Sequence, residues 1–145
     1  MQAFTAKEFT PTKWDDGPTK ANFARQFVKF VESDFDQRLF PQAFYRRLSM
    51  TFGHIAHFNR QGFFETFFTT TQDKVRFFHM TLAHPCFGDP AFTYSDVERA
   101  LQGWLRESGI LAKYEQRLAD EMEAGERGEL ARLKAKYEPL PLMDQ

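Results

Sequence analysis

One cysteine, Cys86, in 145 residues has no partner within the chain, so no intramolecular disulfide framework holds this protein together. A lone thiol fits a reducing compartment, and the expected location is the cytoplasm. Also missing is any apolar run approaching the roughly 18 residues of a membrane-spanning helix. The N-terminal stretch MQAFTAKEFTPTKWDDG has no basic region followed by an apolar one, so neither export nor membrane association is expected. An excess of one charge is absent as well. Nineteen Lys and Arg stand against 20 Asp and Glu, a formal net charge of -1. That balance excludes the general basic character that draws proteins to phosphate backbones or acidic membranes, and any nucleic-acid contact must come from a local patch.

Catalytic signatures are equally scarce. There is no Gly-rich phosphate loop and no Gly-x-Ser-x-Gly, and the neighbouring acids Asp15 and Asp16 sit in a stretch where nothing would hold them for acid–base work. A single His-x-Thr-Leu element, His79 to Leu82, matches one half of the pair that two-histidine phosphoesterases require, and no second half exists. No cofactor is expected.

What the chain does have is phenylalanine. Its 18 copies outnumber every other residue type, where leucine, alanine and glycine usually lead. A chain of this size forms one domain and buries about two-thirds of the surface its unfolded form exposes. The core is therefore expected to be aromatic, with some Phe left outside.

Pro11, Gly17 and Pro18 mark residues 1–18 as an extended arm, anchored by Phe4, Phe9 and Trp14, ahead of a helical domain over 19–145. Phe23, Phe27, Phe30 and Val31 recur at helical spacing, with Thr19 as N-cap and an end near Asp34. Pro41 suits the first turn of a second helix that runs through Gly53 to Phe58. On it Phe44, Leu48, Phe52 and Ile55 share one arc, and Arg46, Arg47, His54 and His57 occupy much of the opposite one. The segment from Phe63 to Ala83 keeps one helical phase through Phe63, Phe64, Phe67, Phe68, Val75, Phe78 and Leu82. Thr69 and Gln72 are placed to form a capping box, which leaves one long helix or two short ones open.

Residues 84–94, with two prolines and a glycine, read as a loop. Ser95 and Glu98 match a capping box ahead of the stripe Val97, Ala100, Leu101, Trp104 and Leu105, which Gly109 should stop. A charged C-terminal helix over 110–138 follows, weakened at Gly125 and Gly128 and resuming with Leu130, Leu133 and Tyr137; it either projects or packs across the domain. On this reading the chain up to Gly109 should fold alone, though weakened. The expected fold is all-α: a single compact domain of five or six helices with an aromatic-rich core.

Three functions fit these residues. The favoured one is a non-enzymatic helical interaction module, an adaptor or inhibitor of a larger protein or nucleoprotein machine. It would use Arg46, Arg47, His54, His57 and Arg60, with Phe87 and Phe92 as exposed aromatic contacts, because arginine and aromatic side chains dominate binding energy at interfaces. The second is a metal-dependent hydrolase with His54, His57, His79 and His84 as ligands and Glu65 or Asp89 in support, although the spacing matches no compact zinc pattern and Arg46 and Arg47 would oppose a cation. The third is direct nucleic-acid binding through the same basic face. His84 and Cys86, two residues apart across Pro85, are poorly placed to act as base and nucleophile.

Overall fold

The first helix, α1 (Gly17–Glu32), opens three residues earlier than its sequence pattern suggests. Asp16, not Thr19, is its N-cap: one carboxylate oxygen accepts both the Thr19 amide at 2.9 Å and the Thr19 hydroxyl at 2.7 Å. A carboxylate satisfies an orphan amide and also places negative charge at the positive end of the helix dipole, an advantage that a threonine lacks. Phe23, Phe27, Phe30 and Val31 are all buried, as their spacing requires. The helix ends in a left-handed turn at Asp34 (φ 61°) and Phe35 (φ 59°), and the Phe35 amide donates back to the Phe30 carbonyl at 3.0 Å. Two successive non-glycine residues in this region are strained, by about 1–3 kcal/mol each, and hold only because neighbouring contacts fix them.

This chain is described by a computed structural model covering residues 4–52, 58–83 and 88–138. Among those residues there are six α-helices and no strand, the all-α architecture that the apolar spacing implies. The helix α2 (Gln42–Thr51) buries Phe44, Tyr45, Leu48 and Thr51 and is shorter than expected. Phe52 follows it fully buried. Then come α3 (Arg60–Phe67) and α4 (Thr71–Ala83), so the Phe-rich segment is two helices. The capping pair between them is Thr70 and Asp73, one residue beyond Thr69 and Gln72. The Asp73 amide donates to the Thr70 hydroxyl at 3.1 Å, and that hydroxyl donates to the Asp73 carboxylate at 2.8 Å. The Thr69 hydroxyl donates instead to the Glu65 carbonyl.

The break folds the phenylalanines of α3 and α4 onto those of α1. Phe68 stacks on Phe35 at 4.8 Å between ring centroids and meets Phe77 edge-on at 4.9 Å and Phe30 edge-on at 5.2 Å. Each such pair contributes about 0.5–1.5 kcal/mol beyond its buried area. The paired phenylalanines of residues 63–78 are therefore the centre of the core, not a recognition surface.

The helix α5 (Ser95–Glu107) buries Val97, Leu101 and Leu105. Its expected Ser95–Glu98 box does not form, because the Ser95 hydroxyl donates to the Gly88 carbonyl at 3.0 Å instead. Gly109, at φ 76°, turns the chain into α6 (Ile110–Tyr137). This helix runs without interruption through Gly125 and Gly128. Those glycines cost about 1 kcal/mol each against alanine, and the alanine, glutamate, leucine, lysine and arginine around them are strong enough helix formers to carry the helix across. Tyr114 is its one buried residue, packed against Phe35 in the turn after α1 and Phe78 of α4.

The N-terminal residues lie along α1. A short turn at Ala6–Glu8 rests on that helix, Phe9 is buried and the Arg25 guanidinium donates to the Phe4 carbonyl. Gly17 is required here, since a Cβ on it would sit 2.8 Å from the Ala6 carbonyl oxygen. Trp14 is no anchor: it is 77% exposed. The loop before α5 is fixed by Lys20, which is 0% exposed and gives its three protons to the carbonyls of Pro90 and Thr93, each at 2.9 Å, and to the Asp96 carboxylate at 3.0 Å. Among the described residues no helix is long and apolar enough to cross a membrane.

Candidate functional site

Arg46 and Arg47 follow one another on α2 and part company. Arg46 is exposed. The α2 pattern predicts Arg47 facing outward with it, but only 28% of its side chain is exposed, and its guanidinium lies 3.5 Å from the Asp15 carboxylate. The other oxygen of Asp15 accepts the Tyr94 hydroxyl at 2.7 Å. Burial and the Asp15 carboxylate push the Tyr94 phenol well above the usual tyrosine range, so it remains a protonated donor. The Arg47 Nε is buried and finds no acceptor among the described residues. The local pattern does not reveal this turn because the arm that attracts Arg47 lies 32 residues away in sequence.

Two recesses meet at Arg47. An open groove of about 580 Å³ between α1 and α2 is lined by Asn22, Gln26, Lys29, Arg38 and Leu39 among others, and by Arg47. A smaller recess of about 360 Å³ is formed by Trp14, Asp15, Arg46, Arg47 and Met50. Trp14 and Met50, the latter 49% exposed, are the contributors that sequence reading missed. The available signal was a tryptophan set among Pro, Gly and charged residues, where no amphipathic stripe could claim it for a core.

The remaining candidates are dispersed. Arg60 begins α3 half-buried, 3.5 Å from the Phe40 carbonyl, and lines neither recess. Phe92 is exposed on the loop before α5. His79 is exposed on α4 with Nε2 3.1 Å from the Glu115 carboxylate of α6. Asp89 accepts the Ala91 amide within its own loop, and Glu65 is exposed on α3. His54, His57, His84, Cys86 and Phe87 lie outside the described residues. Among the described residues no three of His, Cys, Asp or Glu stand together as a metal-holding group.

An exposed indole, a thioether and two guanidiniums around one concavity have the chemistry of recognition. The indole and thioether offer apolar area, and Arg46 offers charge-assisted hydrogen bonds to a carboxylate. Lys29 and Arg38 extend the positive character along the larger groove, with Arg38 partly neutralised by Asp36 at 2.8 Å. Compared with known proteins, the chain matches no family model, no curated protein and no solved structure.

Proposed function

We propose that this chain is a non-enzymatic helical interaction module, an adaptor or inhibitor that engages a larger protein or nucleoprotein assembly through the surface joining α2 to the N-terminal arm. The observation that carries this reading is the exposed Trp14 beside Met50 and Arg46, opening onto the α1–α2 groove. Tryptophan and arginine are among the residues most enriched at the positions that dominate interface energetics. The partner's matching segment carries a carboxylate for Arg46 and an apolar side chain for the Trp14–Met50 recess.

The test is affinity capture from the native host with the wild-type chain, followed by titration of the purified captured protein against Trp14→Ala and Arg46→Glu. Both variants should weaken binding by more than tenfold, the hot-spot range, with thermal melts unchanged. Equal affinity in both would remove this surface from the interface and direct mutagenesis to Phe92.

A further inference from the structure

No residue of α6 from Ala119 to Tyr137 is buried, yet this stretch carries four large apolar side chains: Met122, Leu130, Leu133 and Tyr137. At 100° per residue they fall within an arc of about 80°, a single stripe along one side of the helix. Charge is segregated along the same stretch. Asp120, Glu121, Glu123 and Glu126 come first with no base among them, then Arg127, Arg132, Lys134 and Lys136 with only Glu129 between. The ion pairs beyond Glu121 close within the helix, Arg127 with Glu123 at 3.6 Å and Arg132 with Glu129. They leave the apolar stripe uncovered.

We propose that two copies of this chain associate through this half of α6, packed antiparallel about a two-fold axis between residues 127 and 128. This face shares no residue with the recess at Trp14. A parallel pair would set acidic block against acidic and basic against basic. The antiparallel pair sets each acidic block against the other copy's basic block, and a two-fold axis makes that complementarity occur twice. With residue numbers across the axis summing to 255, Met122 meets Leu133, and the acidic stretch 120–126 lies along residues 129–135 of the other copy, which carry Arg132 and Lys134. The register sets Glu126, which falls inside the arc of the stripe, opposite Glu129, a like-charge contact that the two-fold axis makes twice and that Arg132 beside Glu129 moderates.

The experiment uses the full chain. Sedimentation equilibrium of wild type should show a dimer, and Leu130→Asp with Leu133→Asp should be monomeric at the same concentration with an unchanged circular dichroism spectrum, since both positions are exposed. Orientation is read by disulfide trapping in a Cys86→Ser background. When Met122→Cys and Leu133→Cys chains are mixed and oxidised, the mixed 122–133 disulfide should form in preference to 122–122 and 133–133. A wild type that stays monomeric at all concentrations would overturn the proposal, as would a dimer indifferent to the two aspartates. Dominant 122–122 linkage would refute the antiparallel arrangement.

Discussion

The Tyr114 hydroxyl donates to the Asp34 carboxylate at 2.7 Å, fastening the second turn of α6 to the strained turn that ends α1. The same oxygen receives Lys74 Nζ at 3.0 Å and Arg117 at 3.1 Å, so one carboxylate joins α1, α4 and α6. The Tyr114 ring meets Phe35 and Phe78 edge-on at 5.7 and 5.3 Å.

This contact changes the outcome expected for truncation. From the pattern alone, a chain ending at Gly109 keeps the densest Phe stripes and should fold. In the structure it loses Tyr114 and leaves Asp34 and Lys74 without that cover. Replacing a buried aromatic of this kind by nothing costs about 3–5 kcal/mol, a large share of the total stability of such a domain. Truncation after Gly109 is therefore expected to abolish cooperative melting, and truncation after Met122, followed in dilute solution by circular dichroism, to leave the transition within a few degrees of wild type. A cooperative transition retained without α6 would show the Tyr114 contacts to be dispensable.

Asp34 also sets an acid limit on stability. Burial opposes its ionisation, but hydrogen bonds from Arg117, Tyr114 and Lys74 prevail and lower its pKa from 3.8 to about 2. A carboxyl whose folded pKa lies below its unfolded value stabilises the fold fully above the unfolded value and loses that contribution as pH falls through the folded one. The Asp34 contribution is thus expected to be intact at neutral pH and to fade between about pH 4 and 2. Asparagine tolerates a positive φ as well as aspartate does, so the substitution Asp34→Asn isolates the charge. The deficit of this variant in urea midpoint against wild type should shrink across that window. A deficit independent of pH would mean that the charge of Asp34 does no stabilising.

Lys20 offers a test of the buried ionic contact. Lys20→Met leaves the Asp96 carboxylate and two carbonyls facing an apolar side chain, and breaking one side of a buried pair costs about 3–5 kcal/mol. Asp96 also accepts the Thr10 amide at 2.9 Å, so the arm and the loop before α5 should loosen together. Hydrogen exchange of Lys20→Met should show lost protection at both places. Exchange unchanged in the arm would separate the two attachments.

How much of this was legible in the sequence depended on range. The helices could be placed from the spacing of Phe23, Phe27 and Phe30, of Phe63, Phe64, Phe67 and Phe68, and of Val97, Leu101 and Leu105, because burial imposes a period of 3.6 on local sequence. Caps were misplaced by one to three residues, at Thr19 for Asp16 and at Thr69 for Thr70, since several Ser, Thr and Asp residues compete for each helix start and backbone geometry decides among them. The candidate surface was half legible. Arg46 follows from the α2 pattern, but the inward turn of Arg47 follows from Asp15, and the exposure of Trp14 from the path of the arm over α1. Both are tertiary effects that no local period encodes.

The inward turn of Arg47 also decides which variant probes recognition cleanly. Reversing Arg47 would set two carboxylates together at Asp15 and disturb the Tyr94 contact, so lost binding could reflect a damaged arm. Arg46→Glu alone changes an exposed charge. The deciding measurement is the dissociation constant of the captured partner for Arg46→Glu against wild type, with both melts recorded. A loss of more than tenfold at an unchanged melting temperature, diminishing as salt is raised, is the result predicted. An unchanged dissociation constant would contradict the assignment of this surface as the interface.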